Sequence, residues 1–263
     1  MMLVFNVAGD WFLLGIVDIF LFGVGWASIK TLPQQIETIK LMLNAGAGRE
    51  GEWLSYEGTP YRVDSLGISA HLNNPRLDGG TRLLPVKYLV GMNSRPIGAY
   101  EVLFPCAHGD WVSIPGGPTG QIASQSPATV QLAVPGGAQI AFPTADFLGL
   151  QPHNLSSGFQ VESTFGLDYR HQTIATTDVP AKMRARLQTE LPDVVGPDNV
   201  ADVQVFFSCA NRSSLDYSIW VDLKSAAAPR SLLVPGAIQQ ILVDACNGNG
   251  GIIPFPQIAV HQP

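Results

Sequence analysis

One short phrase is written twice in this chain, and its spacing constrains the fold more than any other feature. Residues 51–60 read GEWLSYEGTP and residues 109–118 read GDWVSIPGGP. An offset of 58 carries Gly51 onto Gly109, Trp53 onto Trp111, Ser55 onto Ser113, Gly58 onto Gly116 and Pro60 onto Pro118. It also carries Gly79 onto Gly137, Pro85 onto Pro143 and Gly91 onto Gly149, giving eight identities at Gly, Pro, Trp and Ser in 41 positions. Glu52/Asp110, Leu54/Val112, Leu84/Phe142 and Leu89/Phe147 are conservative pairs in the same register. Glycine and proline fix where backbone bends, so matched Gly and Pro mean matched turns. Between them WVSI alternates, TVQLAV is β-branched and aliphatic, and Gly136-Gly137 is a hairpin signal before AQIAFP. The pattern predicts two tandem small β-barrel (Sm/SH3-like) modules, over 46–98 and 99–152. Modules this small bury little surface alone, so each should lean on its twin or on neighbouring subunits.

Ahead of the repeat lies WFLLGIVDIFLFGVGWASI, residues 11–29, with Asp18 as its one charge. Its 19 residues approach the roughly 20 that a bilayer-spanning helix needs. Trp11 and Trp26 stand near its ends, where indole rings favour the membrane interface. The preceding MMLVFNVAGD has no Lys or Arg, unlike the basic start of a signal peptide. Lys30, Lys40 and Arg49 follow the segment while Asp10 precedes it, which places the bulk of the chain in the cytoplasm, anchored in the inner membrane. An ionisable group at mid-membrane costs about 2.5–3.5 kcal/mol on insertion scales, so Asp18 should face a polar lumen or a partner helix. Gly23 and Gly25 are small positions on the same helix. TLPQQIETIKLMLNAG reads as a second, amphipathic helix, with Thr31 as cap and Pro33 in its first turn. Residues 1–45 thus form the membrane part.

From residue 153 the pattern changes. FQVESTF reads as a strand, TTDVPAKMRARLQTEL as a helix capped at Thr177 or Asp178, and DVQVFFS and LDYSIWVDL as strands around ANRSS. PGAIQQILVDAC is a helix ended by NGNGG. Strand, helix, strand, strand, helix suits a ferredoxin-like α/β domain over 153–263. GIIPFPQIAVHQP closes the chain. Its prolines cannot donate to a ladder, so it belongs at an edge or in an assembly contact. The fold class is therefore membrane-anchored, mainly β plus α+β.

A net charge of −6, with no basic run, excludes nucleic acid as a partner. Three cysteines, Cys106, Cys209 and Cys246, lack CxxC spacing, so neither a disulfide framework nor a metal site is expected. GAGREG at 46–51 matches GxGxxG but follows a helix and precedes a strand, the reverse of the dinucleotide-binding context. CAHGD gathers Cys106, His108 and Asp110, yet local adjacency does not build a catalytic triad, and Asp110 already matches Glu52 in the repeat. No cofactor and no enzymatic activity are expected.

GDWVSI, GGAQIAFPTADFL and PHNLSSGF together resemble the β-domain and its exit in the small-conductance mechanosensitive channel (MscS-like) family, with Gly109, Asp110, Trp111, Gly137 and Pro143 carrying the motif. RSSLDYSIWVDL and GGIIPFPQIAVH are similar to that family's C-terminal domain and terminal strand, the latter through Pro254, Phe255, Pro256 and Gln257. The resemblance spans about residue 100 to 261. It implies a homo-oligomeric ring, commonly a heptamer, around an axial pore that opens under membrane tension to release ions and small solutes. Partners would then be other copies of the chain, membrane lipids and other membrane proteins. One span stands where the family usually has three or more, and Phe12, Phe20, Phe22 and Trp26 crowd it. Those departures keep open an alternative, a non-conducting scaffold ring that encircles or stabilises a larger membrane complex.

Overall fold

The computed structural model describes residues 11–248 and 250–254, apart from the side chains of residues 30–34. Helix α1 spans Trp11–Met42, 32 residues without a break. The expectation of a second helix beginning at Thr31 is thereby corrected. Proline's fixed φ suits a helix, and what Pro33 removes is one N–H bond to the carbonyl of Ile29.

The first repeat folds as strands β1 (Trp53–Tyr56), β2 (Thr59–Leu66), β3 (Ser69–Asn73) and β4 (Thr81–Pro85), an antiparallel meander in the order β1-β2-β3-β4. A 3₁₀ turn at Val86–Leu89 follows. Leu54, Tyr61, Val63 and Leu72 point to one face, where Val86, Leu89 and Leu41 of α1 complete the core. The helix is thus rooted in the first module by its last turn.

The second repeat gives β5 (Trp111–Ser113), β6 (Thr119–Gln125), β7 (Thr129–Ala133) and β8 (Gln139–Pro143), then helix α2 (Thr144–Gly149) and β9 (His153–Asn154). Its order is β8-β7-β6-β5-β9, the last strand returning beside the first. Among the described residues no ladder joins the two outer strands of either sheet.

The duplication reaches the individual hydrogen bond. Gly51 donates to the Val63 carbonyl and Val63 to that of Glu52; Gly109 donates to Ile122 and Ile122 to Asp110. Each second strand carries a bulge at the same place, between Val63 and Ser65 and between Ile122 and Ser124. The offset is not constant, however. Trp53 pairs with Arg62 whereas Trp111 pairs with Gln121, so β2 maps onto β6 at 59. Ser69 pairs with Pro85 and Thr129 with Pro143, so β3 maps onto β7 at 60 while β4 maps onto β8 at 58. Residues gained in two turns are returned in the β3–β4 loop, which is why the outer glycines and prolines keep a register of 58.

The last portion holds β10 (Phe159–Leu167), helix α3 (Asp178–Val195), β11 (Val200–Ala210), β12 (Leu215–Leu223) and helix α4 (Val234–Gly248). Its antiparallel sheet runs β10-β12-β11, so α3 makes a crossover around the strand inserted between β10 and β11, the split βαβ arrangement. Leu215, Tyr217, Ile219, Val221 and Leu223 are buried and their neighbours are not. They meet Val179, Met183, Leu187 and Leu191 of α3 and Ile238, Ile241 and Leu242 of α4. Helical spacing of three and four puts those side chains on single faces. Thr177 stands at the N-cap of α3 but makes no side-chain capping bond. The chain divides into two compact units, Met1–Phe104 and Pro105–Pro263, one β-module in each.

Candidate functional site

Two features are candidates for function: the apolar span of α1 and a polar clasp that recurs in the two modules. Residues Trp11–Ile29 are long and apolar enough to cross a bilayer, and the span is unburied by the rest of the described structure. At 1.5 Å per residue they cover roughly 28 Å, close to the hydrocarbon thickness. Phe12 is 80% exposed and Trp26 61%. An apolar surface of that size marks contact with lipid or with other helices.

At about 100° per residue, Trp11, Asp18 and Gly25 fall on one stripe at spacings of seven. Gly23 lies roughly 140° away from Asp18 by the same spacing, so it does not share that stripe. Phe22 and Trp26 stack one turn apart, with ring centroids 6.1 Å apart and planes at 26°. Asp18 is exposed. The sequence candidates thus divide into an Asp18/Gly25 stripe and an adjoining aromatic one.

The motif residues of the second module are structural. Asp110 Oδ2 accepts bonds from Ala107 N–H and Asn154 Nδ2, both at 2.8 Å. Asn154 Nδ2 also reaches the Pro105 carbonyl at 3.1 Å, and Ser156 Oγ accepts from Trp111 N–H at 2.9 Å. This clasp ties the start of β5 to the segment returning beside it. The first module repeats the device. The single O–H of Ser94 donates to Glu52 Oε2 at 2.5 Å, with the Ala47 carbonyl further off at 3.3 Å, and Ser94 Oγ accepts from Arg49 N–H. Glu52, Ala47 and Arg49 map onto Asp110, Pro105 and Ala107 at 58, and Ser94 maps onto Asn154 at 60. Asn154 lies within the PHNLSSGF stretch, whereas Ser94 carries no motif of its own and only the shifted offset could have found it.

Gly109 and Gly137 have φ of 87° and 88°, a region open to glycine at little cost. Pro143 takes the N-cap position of α2. Within CAHGD, the thiol of Cys106 is buried against Gln125 Oε1 at 3.6 Å. Burial, helped by the Asp110 charge, pushes the Cys106 thiol up to about 12. A thiol held protonated is a poor nucleophile, and Asp110 is engaged in the clasp. In the first module Arg95 forms a two-pronged ion pair with Glu101, holding the Glu101 carboxyl down to about 2. GAGREG is the coil from α1 into β1.

At the C-terminal end, Asp168 N–H donates to the Ile252 carbonyl and Ile252 N–H to His171 Nε2. Those bonds fix where the chain leaves toward Pro254. Phe255, Pro256 and Gln257 lie outside the described residues.

No family model and no curated protein matches the chain. Solved structures do. A crystal structure of Helicobacter pylori MscS in its closed state matches at 17% identity and a TM-score of 0.45, over 62% of this chain and 61% of that one. A structure of Arabidopsis thaliana MSL1 matches at 15% identity and a TM-score of 0.39, over 58% of this chain and 54% of that one. The A320V form of MSL1 matches at 16% and 0.38, over 58% and 56%. The chain therefore spans less than two thirds of the length of each.

Proposed function

We propose that this chain is a subunit of a homo-oligomeric MscS-like membrane ring, and that the ring is a mechanosensitive channel releasing ions and small solutes under tension. One observation carries the reading. An unburied 19-residue apolar span continues, within a single helix, into the core of a β-module at Leu41. A span left bare on every side needs lipid on one face and, where Asp18 sits, a polar lumen or a neighbouring helix. Copies of α1 gathered about an axis supply both, with the Asp18/Gly25 stripe turned inward and Phe12 and Phe20 toward lipid. An unbroken helix rooted in a folded module transmits tilt without a hinge. Tension then favours whichever ring state occupies more membrane area. The β and α/β domains lie on the cytoplasmic side, as the Lys and Arg residues after the span indicate. The inner membrane is the corresponding location.

The scaffold alternative draws on a specific observation as well, the stacked Phe22 and Trp26 beside the candidate lumen stripe. Bulky rings there would plug a narrow bundle. Patch recordings on liposomes holding the purified full chain separate the two readings. Stepwise current under suction is the expected result. Silence up to lytic tension, with intact rings visible by microscopy, assigns the scaffold.

A further inference from the structure

Among the described residues the sheet of the first module ends in one bare edge, β4, and one barely covered edge, β1, and they are complementary. At one end the bonds from Asn74 N–H to the Gly80 carbonyl and from Val86 N–H to the Ile68 carbonyl fix the alternation along β4. Positions 80, 82, 84 and 86 therefore bond to β3, while the N–H groups of Thr81 and Leu83 point away from the sheet. Leu83 is 60% exposed; Ile68, opposite Val86, and Tyr88, just past the strand, are exposed as well. Bulky apolar residues along a bare edge are what proteins ordinarily avoid.

The second module serves as an internal control. Its equivalents of Ile68, Leu83 and Tyr88 are Ala128, Ala141 and Asp146, placed by the same ladder and by the matching bond from Thr144 N–H to Ala128. The shared fold needs none of the three large side chains, so their presence in the first module answers to something outside it.

The other end of the sheet is β1. In the second module the equivalent strand is covered by β9, which pairs at both Val112 and Ser113. In the first module the cover shrinks to one bridge, Trp53 with Arg95. Ser55, the counterpart of Ser113, keeps an outward N–H with no strand beside it among the described residues. A groove of about 450 Å³ opens there, lined in part by Trp53, Ser55, Pro60, Val102 and Leu103.

We infer that β4 of one subunit adds to the β1 edge of the next copy, with Leu83 seated in that groove. A projecting edge at one end and a receiving edge at the other is the requirement for a head-to-tail contact, which closes into a ring when the rotation allows. Lipid fits the edge less well. From Ile29 to Leu41 an upright α1 carries the module about 18 Å beyond the apolar span, past a headgroup layer of roughly 5–7 Å. The inference rests on the ring reading above and adds that the first module makes its own inter-subunit sheet.

The test uses the full chain in detergent without added lipid, with the exposed Cys209 replaced by Ser. Disulfide formation needs Cα atoms about 4.4–6.8 Å apart. The pairs Ser55→Cys/Leu83→Cys and Ser55→Cys/Thr81→Cys cover the two adjacent registers. Oxidation is expected to give a covalent ladder rising to the subunit number of the ring, while each single variant stays monomeric on a denaturing gel. In the unmodified assembly the Thr81 and Leu83 amides should exchange slowly, by on the order of 100-fold relative to an open edge. Intact rings with no ladder from either pair and freely exchanging Thr81 and Leu83 overturn this inference and leave the ring reading standing. Monomers with an open edge overturn both. Protection that needs lipid, a co-purified foreign polypeptide, or residues 255–263 gives the edge another occupant and overturns the contact between copies.

Discussion

Cys106, Asp110 and Asn154 show how one residue's chemistry is set by its surroundings rather than by its sequence neighbours. In sequence Cys106, His108 and Asp110 look like the parts of a nucleophilic site; in the fold the thiol is sealed against Gln125 and the carboxylate holds two N–H donors. Burial pushes the thiols of both Cys106 and Cys246 up, while Cys209 is exposed. Since the thiolate is the reactive form, maleimide at pH 8 should modify Cys209 at most in the native protein and all three cysteines in denaturant. Mass spectrometry of the labelled peptides checks this, and rapid labelling of native Cys106 would contradict its buried placement. Tyr61 and Gly120 carry a second lesson at this scale. They are structural equivalents, facing Leu54 and Val112, although a constant offset would match Tyr61 with Thr119. Any side chain at Gly120 would press on the Ala133 carbonyl, 2.5 Å from an added Cβ. The two modules thus share a backbone while filling it differently.

At the scale of elements, α1 departs most from what its sequence suggests. Pro33 and Thr31 read as a helix start, yet Trp11–Met42 is one helix. The helix outlasts the proline because Leu41, twelve residues past the end of the apolar span, is buried in the first module's core. Tertiary burial of that last turn outweighs one absent hydrogen bond. The functional consequence lies with Asp18. If copies of α1 line a path with the Asp18 stripe inward, Asp18→Asn removes one ring of negative charge from it. The permeability ratio of cations over anions should fall several-fold in single-channel recordings while gating tension stays close to that of the parent. An unchanged ratio would turn Asp18 away from the path. The duplicated meanders were legible as elements because Gly and Pro mark their turns. Their unequal loop lengths were not, since an insertion in one turn offset by a deletion in another leaves the outer landmarks in register.

For the whole molecule the governing quantity is surface left uncovered. The apolar span of α1 is bare, and β4 ends the first module's sheet with Leu83 exposed. Native mass measurement in mild detergent should therefore find a closed oligomer, with protomers appearing only as the detergent is made harsher. A well-folded, water-soluble protomer obtained without detergent would contradict both the membrane role and the ring. Within each module a clasp, Glu52 with Ser94 in the first and Asp110 with Asn154 in the second, holds the entry against that module's own returning segment.

Periodicity and punctuation determined much of this protein unaided: an apolar run of bilayer length, two sheets bent at matching glycines, and a strand–helix–strand–strand–helix order that buries one face. These are local properties, and a chain carries them wherever it folds. The continuity of α1 through Pro33, the drift of the repeat from 58 to 60, the partnership of Asp110 with Asn154 across 44 residues and the bare β1 edge at Ser55 were decided only by tertiary structure. Each depends on which distant segment arrives beside a given backbone group, and a hydrogen bond or a packed side chain exists only once that neighbour is in place.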